Sequence, residues 1–418
     1  MVLGPLELAR SRRPLRRPPA FAWEPEGGVQ GRGIGAAARR FRLATTATRW
    51  LDPVASGNGL TKATPTGDLW AILGAIDQPT TIYVRERAVT LDLAHGGAGT
   101  VFVDHCEIIV VKDFDTLEPG TIRHAMSAPL VWTAAGGGSY SAPMAGNYAF
   151  TPGNVIDEAT LDAYGGGTWL TPVANAAAVA ATANSWAKVG STIYVRTADS
   201  RAPDANLLVM KNANNMATVF AGTHVYLEGL ELLGGARPFY APRGGTITLA
   251  RCKARYGVEE GFGFVDTTRA TLIDCAMTGN GSDGVAYTTT PRAVEVRVTS
   301  CKNGHPITPT NICNGSSQHA GEVIRVDGVY LDNQGPNLAD VLGSKSWNVR
   351  CRASGSIATQ PTQQVGVWIQ GTAWLDGCDI GGNAHVDLKA QLEGDVLNVY
   401  GTRYATTDGA GVVRASRG

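Results

Sequence analysis

The densest mixture of chemically active side chains in the sequence lies between residues 311 and 340. Histidine, carboxylates, asparagine and arginine occur there among apolar residues that alternate as they do in β-strands. We therefore expect the polar side chains to lie on loops or on an outer strand face. The candidate acid–base residues of this stretch are His319, Glu322 and Asp340.

Acid–base chemistry on a sugar requires two ionisable groups, one on either side of the bond that breaks. If successive turns of the chain stack, Glu260 and Asp283 from earlier turns can lie beside His319, and these two residues complete the predicted catalytic set. The spacing leaves open which of the five residues share a face. The alternative is structural, because Asn and Asp side chains satisfy backbone groups at turns.

Hydrogen-bonding and aromatic side chains in and near the same stretch are candidates for binding a glycan. Amide and guanidinium groups suit sugar hydroxyls, and aromatic rings can stack on the apolar faces of pyranoses. The candidates are Asn314, Arg325, Asn337, Trp347 and Tyr287. Since alternate strand residues must point inwards, core packing is the competing interpretation for the aromatic residues.

A repeated sequence motif predicts the strands that position the candidate site residues. Apolar, β-favouring runs end at a cysteine followed by a glycine turn, at Cys252, Cys275, Cys301, Cys351 and Cys378. A period of about 25 residues with glycine and asparagine punctuation predicts stacked coils of two or three short strands each. We therefore predict an all-β fold, a single-stranded parallel β-helix whose turns bury their apolar side chains against neighbouring turns.

The repeated cysteines have two interpretations. A cysteine that recurs once per turn forms a buried column of small apolar side chains. A metal site or a set of disulfides is the alternative, but the sequence has no Cys-x-x-Cys pair and an odd total of seven cysteines. We predict the buried column of reduced thiols, no metal site and no cofactor.

The pattern divides the chain into four parts. Residues 1–49 are rich in Pro, Gly and Arg and cannot form a core, so they are predicted to be a flexible basic tail or an arm that anchors the protein to a larger assembly. Residues 50–112 are predicted to hold a short capping helix and the first strands, and residues 113–190 a loop-rich insertion. Residues 191–418 are predicted to form the parallel β-helix.

Charge and hydropathy argue against several function classes. The formal net charge is zero, which disfavours nucleic acid as the main partner, although residues 1–49 carry ten Arg and three Glu. No apolar run is long enough to span a membrane, so no membrane insertion is expected. The N-terminus lacks a basic region followed by an apolar stretch, so we expect no secretory signal and synthesis in a cytoplasm.

Three phrases give the chain a resemblance to a known family. They are residues 185–204, the run from Asn314 to His319, and residues 335–348. Together with the repeat, they resemble the right-handed, pectin-lyase-like parallel β-helix superfamily, and more narrowly the tailspike-type β-helix proteins of bacteriophages and prophages. The resemblance implies a right-handed coil that binds polysaccharide, commonly with lyase or hydrolase activity and commonly as a homotrimer on a virion. The arginine and paired calcium-binding aspartates of pectate lyases are not recognisable.

Three functions remain open on this basis. The first is a virion tail or head spike that binds a bacterial surface polysaccharide, with or without cleaving it, and whose basic arm contacts other virion proteins. The second is a free polysaccharide lyase or glycoside hydrolase, which would require an export signal. The third is a structural or adhesive β-solenoid without catalytic activity.

Overall fold

The computed structural model describes residues 45–87, 91–92, 100–102, 106–116, 118–125, 127–128, 130–146, 149–211, 217–219, 224–267, 269–290, 292–304 and 313–416. The predicted basic arm lies outside these described residues, except for residues 45–49. Within them, strands dominate, and the helical elements are two short α-helices and the 3-10 helix Pro361–Gln363.

Three parallel ladders of strands build the body of the protein, and a complete turn of the coil adds one strand to each ladder. Ladder I contains Ala47–Leu51, Thr80–Arg85, Cys106–Lys112, His224–Glu228, Thr246–Ala250, Arg269–Ile273, Arg292–Val296, Glu322–Val326, Val396–Tyr400 and Val412–Ser416. Ladder II contains Leu91–Asp92, Ile122–Ala125, Leu230–Leu233, Lys253–Arg255, Ala276–Thr278, Thr299–Cys301, Val329–Leu331, Arg352–Ser354 and Asp379–Gly381. Ladder III contains Thr100–Phe102, Ala217–Val219, Phe239–Ala241, Phe262–Val265, Val285–Thr288, Ser316–His319, Val386–Ala390 and Thr407–Asp408. Two long strands run from ladder III into ladder I, Leu338–Val349 and Val365–Asp376.

Residues pair one for one along the ladders, as they do between Thr246–Ala250 and Arg269–Ile273. Equivalent residues of successive turns therefore stack about 4.8 Å apart. Alternate side chains of the strands face the interior and form one continuous apolar core, which includes Ile247, Leu249 and Phe262. Because each turn covers its apolar face with its neighbours, stability comes from stacking. The prediction of a parallel β-helix is confirmed, with three strands in each turn.

A column of small residues lies at the corner between ladders I and II. The members of this column, in chain order, are Cys252, Cys275, Val298, Gly328, Cys351 and Cys378. The backbone N–H of the residue after each member donates to the carbonyl of the member one turn earlier, at 2.8–3.0 Å. The four cysteines of this column are buried and free. Burial raises the pKa of the Cys252 thiol to about 12. Cys301 corrects the predicted set, because it lies on a ladder II strand and pairs with Thr278 and Leu331.

A short helix closes the N-terminal end of the coil, as the sequence predicts. This helix, α1, spans Leu69–Gly74, and the Asp68 carboxylate caps its first turn. Leu69 and Ile72 on its buried side join the core of the solenoid. The helix therefore covers apolar side chains at this end of the described coil, where no other described turn buries them.

A lobe of two sheets interrupts the coil between Ile122–Ala125 and Ala217–Val219. Its five-stranded sheet contains Thr133–Gly136, Ser139–Pro143, Thr192–Arg196, Ser185–Val189 and Thr171–Pro172. Its three-stranded sheet contains Thr168–Trp169, Pro152–Asp157 and Leu207–Lys211, and a second helix, α2, spans Ala176–Ala181. The lobe has an apolar core of its own, which includes Val155, Trp186 and Val195.

The lobe packs on the outer face of ladder II. Tyr256, at the end of a ladder II strand, forms one apolar cluster with Ile156 and Met210 of the lobe. Beside this cluster, the lobe residue Glu158 accepts hydrogen bonds from Arg255 at 3.0 Å and from the Tyr256 hydroxyl at 2.7 Å. Apolar packing and a partly buried ion pair thus fix the lobe to the coil.

Two predicted boundaries move. Thr192–Arg196, which was expected to resume the coil at residue 191, pairs antiparallel with Ser185–Val189 inside the lobe. The coil instead resumes after residue 211, with Ala217–Val219. Ala47–Leu51, part of which falls in the predicted arm, is the first ladder I strand and pairs in parallel with Thr80–Arg85. Apolar alternation is the same in parallel and antiparallel strands, so the sequence pattern indicated the insertion but misplaced its C-terminal end.

Candidate functional site

A column of polar side chains lies just before the strands of ladder III. Phe239, Phe262, Val285 and Ser316 begin four successive strands and are paired in register. The residues two positions earlier therefore occupy equivalent places on stacked turns, about 4.8 Å apart. These residues are Arg237, Glu260, Asp283 and Asn314. The fold thus brings together two predicted catalytic residues and one predicted binding residue.

Asp283 has the most strongly perturbed environment in this column. Its carboxylate accepts hydrogen bonds from the Asn314 backbone N–H at 2.6 Å and from the Ser317 hydroxyl at 2.5 Å, and the residue is 6% exposed. Burial raises the pKa of Asp283 to about 7 against the effect of these hydrogen bonds, and the charge of Glu260 acts in the same direction as burial. Asp283 can therefore hold or release a proton near neutral pH, as a general acid or base must.

Glu260 and its neighbour Glu259 share one cation. The guanidinium of Arg237 contacts both carboxylates and lies 4.5 Å over the ring of Tyr240. Both glutamates remain accessible, since the side chain of Glu260 is 23% exposed and that of Glu259 is 47% exposed. Because one positive charge faces two glutamates, this part of the surface has a negative balance even before Asp283 ionises.

His319 lies on the outer side of the strand Ser316–His319, two residues after Ser317. Burial lowers the pKa of His319, and the carboxylates of Asp340 and Glu260 oppose that shift. Near pH 7 the imidazole is therefore mostly neutral, with one nitrogen that donates and one that accepts. We name the group on this face the outer cluster, and it consists of Arg237, Glu259, Glu260, Asp283, Asn314, Ser317 and His319.

The outer cluster can exchange protons and can hydrogen-bond a polar ligand, with the Tyr240 ring at its Arg237 end. Among the residues that the structure describes, no three His, Cys, Asp or Glu side chains are arranged to hold a metal ion. The described residues also contain no helix that is long and apolar enough to cross a membrane.

Comparison with known proteins bears on the fold. No protein-family model matches the chain, and no curated protein sequence matches it. Among solved structures, a glycoside hydrolase is similar at a TM-score of 0.53 and 8% identity, with 88% of this chain and 95% of that protein covered. Pectate lyase Pel9A has a TM-score of 0.47 and 11% identity, with 90% of this chain and 80% of that one covered. The tailspike receptor-binding domain of siphovirus 9NA has a TM-score of 0.29 and 12% identity, over 84% of this chain and 75% of that one.

The chain is a parallel β-helix. The similarity to the glycoside hydrolase agrees with the predicted fold class. At these low identities the likeness establishes the architecture alone. The side chains of the outer cluster therefore have to indicate the function.

Asp340 and Arg325, which the sequence analysis placed on the outer face, lie inside the coil. Asp340 is 1% exposed and Arg325 is fully buried. Arg325 donates to the two carboxylate oxygens of Asp340 at 2.8 and 3.0 Å. The register explains the correction, because Asp340 stacks between Gln318 and Ile369 on the inward side of ladder III. Side chains at these places cannot contact a ligand on the outer surface.

The two aromatic candidates pack within the protein. Tyr287 is fully buried inside ladder III, where its ring stacks on Phe264 with centroids 5.3 Å apart. Trp347 is 1% exposed and belongs to an apolar cluster of ladder I with Ile324 and Trp374. The structure therefore supports the competing interpretation, in which both residues are packing residues.

The remaining two candidates lie apart from the outer cluster. Asn337 is fully buried, accepts from Asn333 Nδ2 at 2.9 Å and donates to Asn383 Oδ1 at 3.2 Å. It thus belongs to a chain of asparagine side chains that links successive turns. Glu322 begins a ladder I strand, and its carboxylate lies 3.4 Å from Lys345 Nζ.

Three members of the outer cluster were not among the predicted site residues, namely Arg237, Glu259 and Ser317. A signal for Arg237 was present, because Arg237, Glu260 and Asp283 follow one another at intervals of 23 residues, the length of one short turn. Asn314 comes 31 residues after Asp283, since a longer turn intervenes. No spacing rule identified Ser317, whose role depends on the face of the strand on which it lies.

Proposed function

We propose that the protein binds a bacterial surface polysaccharide along the outer face of ladder III and hydrolyses it at the outer cluster. The observation that carries this proposal is the stacking of Asp283, whose pKa is about 7, on the turn next to Glu260. Glycoside hydrolysis needs a carboxyl group that still holds a proton near neutral pH, with a second carboxylate nearby. These two residues meet both requirements.

The roles in this proposal follow from the position of each side chain. Asp283 donates its proton to the oxygen of the leaving sugar. Glu260, which Arg237 holds in place, faces the positive charge that develops on the sugar ring or activates the attacking water. His319 and Glu259, which are partly exposed, hydrogen-bond sugar hydroxyls in this proposal, and Asn314 supports Asp283 through its backbone N–H and its side-chain amide.

The charge of the outer cluster favours an uncharged glycan. An anionic sugar would meet Glu259, Glu260 and Asp283, and the guanidinium of Arg237 is already shared by the two glutamates. Elimination from a uronate would require a free cation to neutralise the substrate carboxylate. The side chains therefore favour hydrolysis over a lyase reaction, a choice that the sequence left open.

Binding without cleavage is the second candidate function. It is favoured by the satisfied state of Asp283, which accepts hydrogen bonds from Asn314 and Ser317 and is mostly buried. In that case the outer cluster recognises the glycan, and Asp283 shapes the surface from below. The two candidates predict the same binding face but different products.

We further propose that the protein acts on a bacteriophage particle as a homotrimeric tail or head spike. Support comes from the sequence resemblance and from the basic composition of residues 1–49, which suits an arm that contacts other virion proteins. Closed three-fold symmetry also suits rods packed side by side. Light scattering of the full chain at micromolar concentration should give the mass of a trimer, and a monomer mass would contradict the assembly.

The catalytic proposal is tested by incubating the protein with a panel of bacterial surface polysaccharides and sizing the products. Asp283→Asn and Glu260→Gln should each reduce cleavage by about a hundred-fold or more while the folded protein still binds. Cleavage by the parent protein should also decline as pH rises through about 7, because Asp283 then loses its proton.

Glu322→Gln provides the matched control, since it removes a carboxylate from ladder I and leaves the outer cluster intact. This variant should cleave like the parent. Full cleavage by folded Asp283→Asn protein would exclude the proposed acid. Binding by the parent without any shortening of the polysaccharide would support the second candidate function.

A further inference from the structure

The interior of the coil carries charged and polar side chains where neighbouring turns carry leucine. One inward column of ladder I reads, in register, Leu249, Leu272, Glu295, Arg325, Asn348 and Leu375. Asp340 of ladder III faces the same interior, and all the polar members are at most 1% exposed. The polar section is thus three turns long and has leucine on both sides.

These side chains form one hydrogen-bonded network that includes Ser316. The Ser316 hydroxyl donates to Glu295 Oε1 at 2.5 Å and accepts from Arg325 Nε at 3.0 Å. The Tyr330 hydroxyl donates to Glu295 Oε2 at 2.5 Å. Arg325 completes the network through its paired hydrogen bonds to Asp340. We name Glu295, Ser316, Arg325, Tyr330 and Asp340 the interior network.

Packing alone does not require the interior network. Replacing a buried ion pair by apolar residues of similar volume is often neutral or stabilising, because both charges must lose their water on folding. Leu272 and Leu375 show that apolar side chains fit the same column one turn before and one turn after the polar section. The network also sets two carboxylates against one guanidinium, an arrangement that stability by itself does not favour.

The interior network lies directly beneath the outer cluster. The strand Ser316–His319 has polar residues at all four positions. Its inward residue Ser316 is held by Glu295 and Arg325, whereas its outward residue Ser317 donates to Asp283 at 2.5 Å. Two adjacent residues of one strand therefore join the interior network to the proposed acid.

We infer that the interior network is a positioning device, which fixes Ser316 and so holds Ser317 against Asp283. Apolar contacts permit small shifts of a strand, whereas hydrogen bonds to charged groups are directional and fix an atom more closely. Val285 and Leu338 occupy the place of Ser316 on the adjacent turns, and neither side chain can make such bonds. The consequence for catalysis rests on the proposed function, but the positioning of Asp283 does not.

Two variants test the inference. Ser316→Ala removes the connection between network and strand and leaves the charged residues in place. A second variant replaces all five residues of the interior network by apolar ones, with Glu295→Leu, Ser316→Val, Arg325→Met, Tyr330→Phe and Asp340→Leu. His124→Leu is the control, because it also replaces a buried polar residue by leucine but lies on a ladder II strand of an earlier turn.

The measured quantity is the titration midpoint of Asp283, which NMR monitors in protein labelled with carbon-13 at the aspartate carboxyl groups. The Asp283 signal is assigned by its absence in the Asp283→Asn variant. In both test variants the midpoint should rise above about 7, because the buried Asp283 carboxylate loses the Ser317 hydrogen bond that favours its charged form. The control should titrate like the parent. Where the parent cleaves a glycan, both variants should lose roughly a hundred-fold of that activity.

An unchanged Asp283 midpoint in folded Ser316→Ala protein would overturn the inference, whether or not the variant with five substitutions folds. A shifted midpoint in a protein that binds no polysaccharide would leave the positioning intact and refute the proposed function. The titration therefore separates the failure of one from the failure of the other.

Discussion

Arg325 and Arg297 show how far burial changes the contribution of one ion pair. Arg325→Leu leaves the buried carboxylates of Glu295 and Asp340 without their cation, so we expect a loss of about 3–5 kcal/mol in the free energy of unfolding. Arg297, which is paired with Asp274 at 2.5 Å, is 39% exposed, and Arg297→Leu should cost about 0–1 kcal/mol. Denaturant unfolding followed by circular dichroism measures both. Equal losses would contradict the interior position of the network.

The buried residue His124 makes the free energy of unfolding depend on pH. The residue is 2% exposed, and neither ring nitrogen has a hydrogen-bond partner among the described residues. Burial lowers the pKa of His124 from its ordinary 6.5 to about 3. The folded state therefore favours the neutral ring, and the stability that this residue supports is complete above pH 6.5 and is lost as pH falls towards 3.

We expect His124→Leu to flatten the dependence of stability on pH between 6.5 and 3. Leucine suits the site because Leu232 occupies the equivalent place on the next turn of ladder II. Melting temperatures measured across this range test the expectation. His224 is exposed, so His224→Gln should retain the pH dependence of the parent, and a parent-like profile for His124→Leu would refute the assignment.

At the scale of the strand columns, the sequence predicted the length of a turn correctly but did not predict where other residues replace cysteine in the column. The cysteine spacing of 23 residues from 252 to 275 is the length of one short turn. The column then continues through Val298 and Gly328. Only glycine fits at the second of these places, because a Cβ at Gly328 would lie 2.5 Å from the Tyr330 hydroxyl. Cys301 ends a similar sequence phrase but lies on the following strand. The side chains packed around each place determine which residue occupies it, and these spatial neighbours cannot be read from a single sequence.

The sequence predicted which site residues lie together where the stacking of turns alone determines this. It failed where the strand register determines whether a side chain faces the interior or the outer surface. Glu260 and Asp283 precede their strands by equal distances, so the repeat alone placed them together. Asp340 instead lies within a strand, where a shift of one residue reverses the direction of every side chain. The pairing of Gln318 with Asp340 turns that carboxylate inwards. Polar composition could not reveal this, because the interior itself is polar at these turns.

The cysteine column leads to a prediction about thiol reactivity. The six described cysteines are buried and free, and burial raises the pKa of Cys252, Cys301 and Cys313 to about 12. Since the thiolate is the reactive form, native protein should react slowly with iodoacetamide at mildly alkaline pH. Thiol titration in denaturant without reductant should then count at least these six groups. A lower count would reveal disulfides and refute the column of free thiols.

The coil grows by stacking, so its first described turn, at Ala47–Leu51, has an edge that no other described turn covers. A loop meets part of this need, since the Trp50 N–H donates to the Gly59 carbonyl at 2.8 Å and the Asp52 N–H to the Thr66 carbonyl at 2.9 Å. Helix α1 covers the apolar end of the core next to Leu51. An open end of this kind would pair with other chains.

Opening the helical cap should therefore make the protein associate through its ends. The combined change Leu69→Lys and Ile72→Lys places two charges where α1 contacts the core, so the helix should detach and expose the apolar end of the first turn. We expect a mass that rises with protein concentration in light scattering, whereas Ala71→Lys, on the exposed side of the same helix, should keep the mass of the parent. The body of the coil should retain its β-sheet circular dichroism, because each later turn is still covered by its neighbours. If the double variant kept the parent mass at every concentration, α1 would not be the element that protects this end of the solenoid.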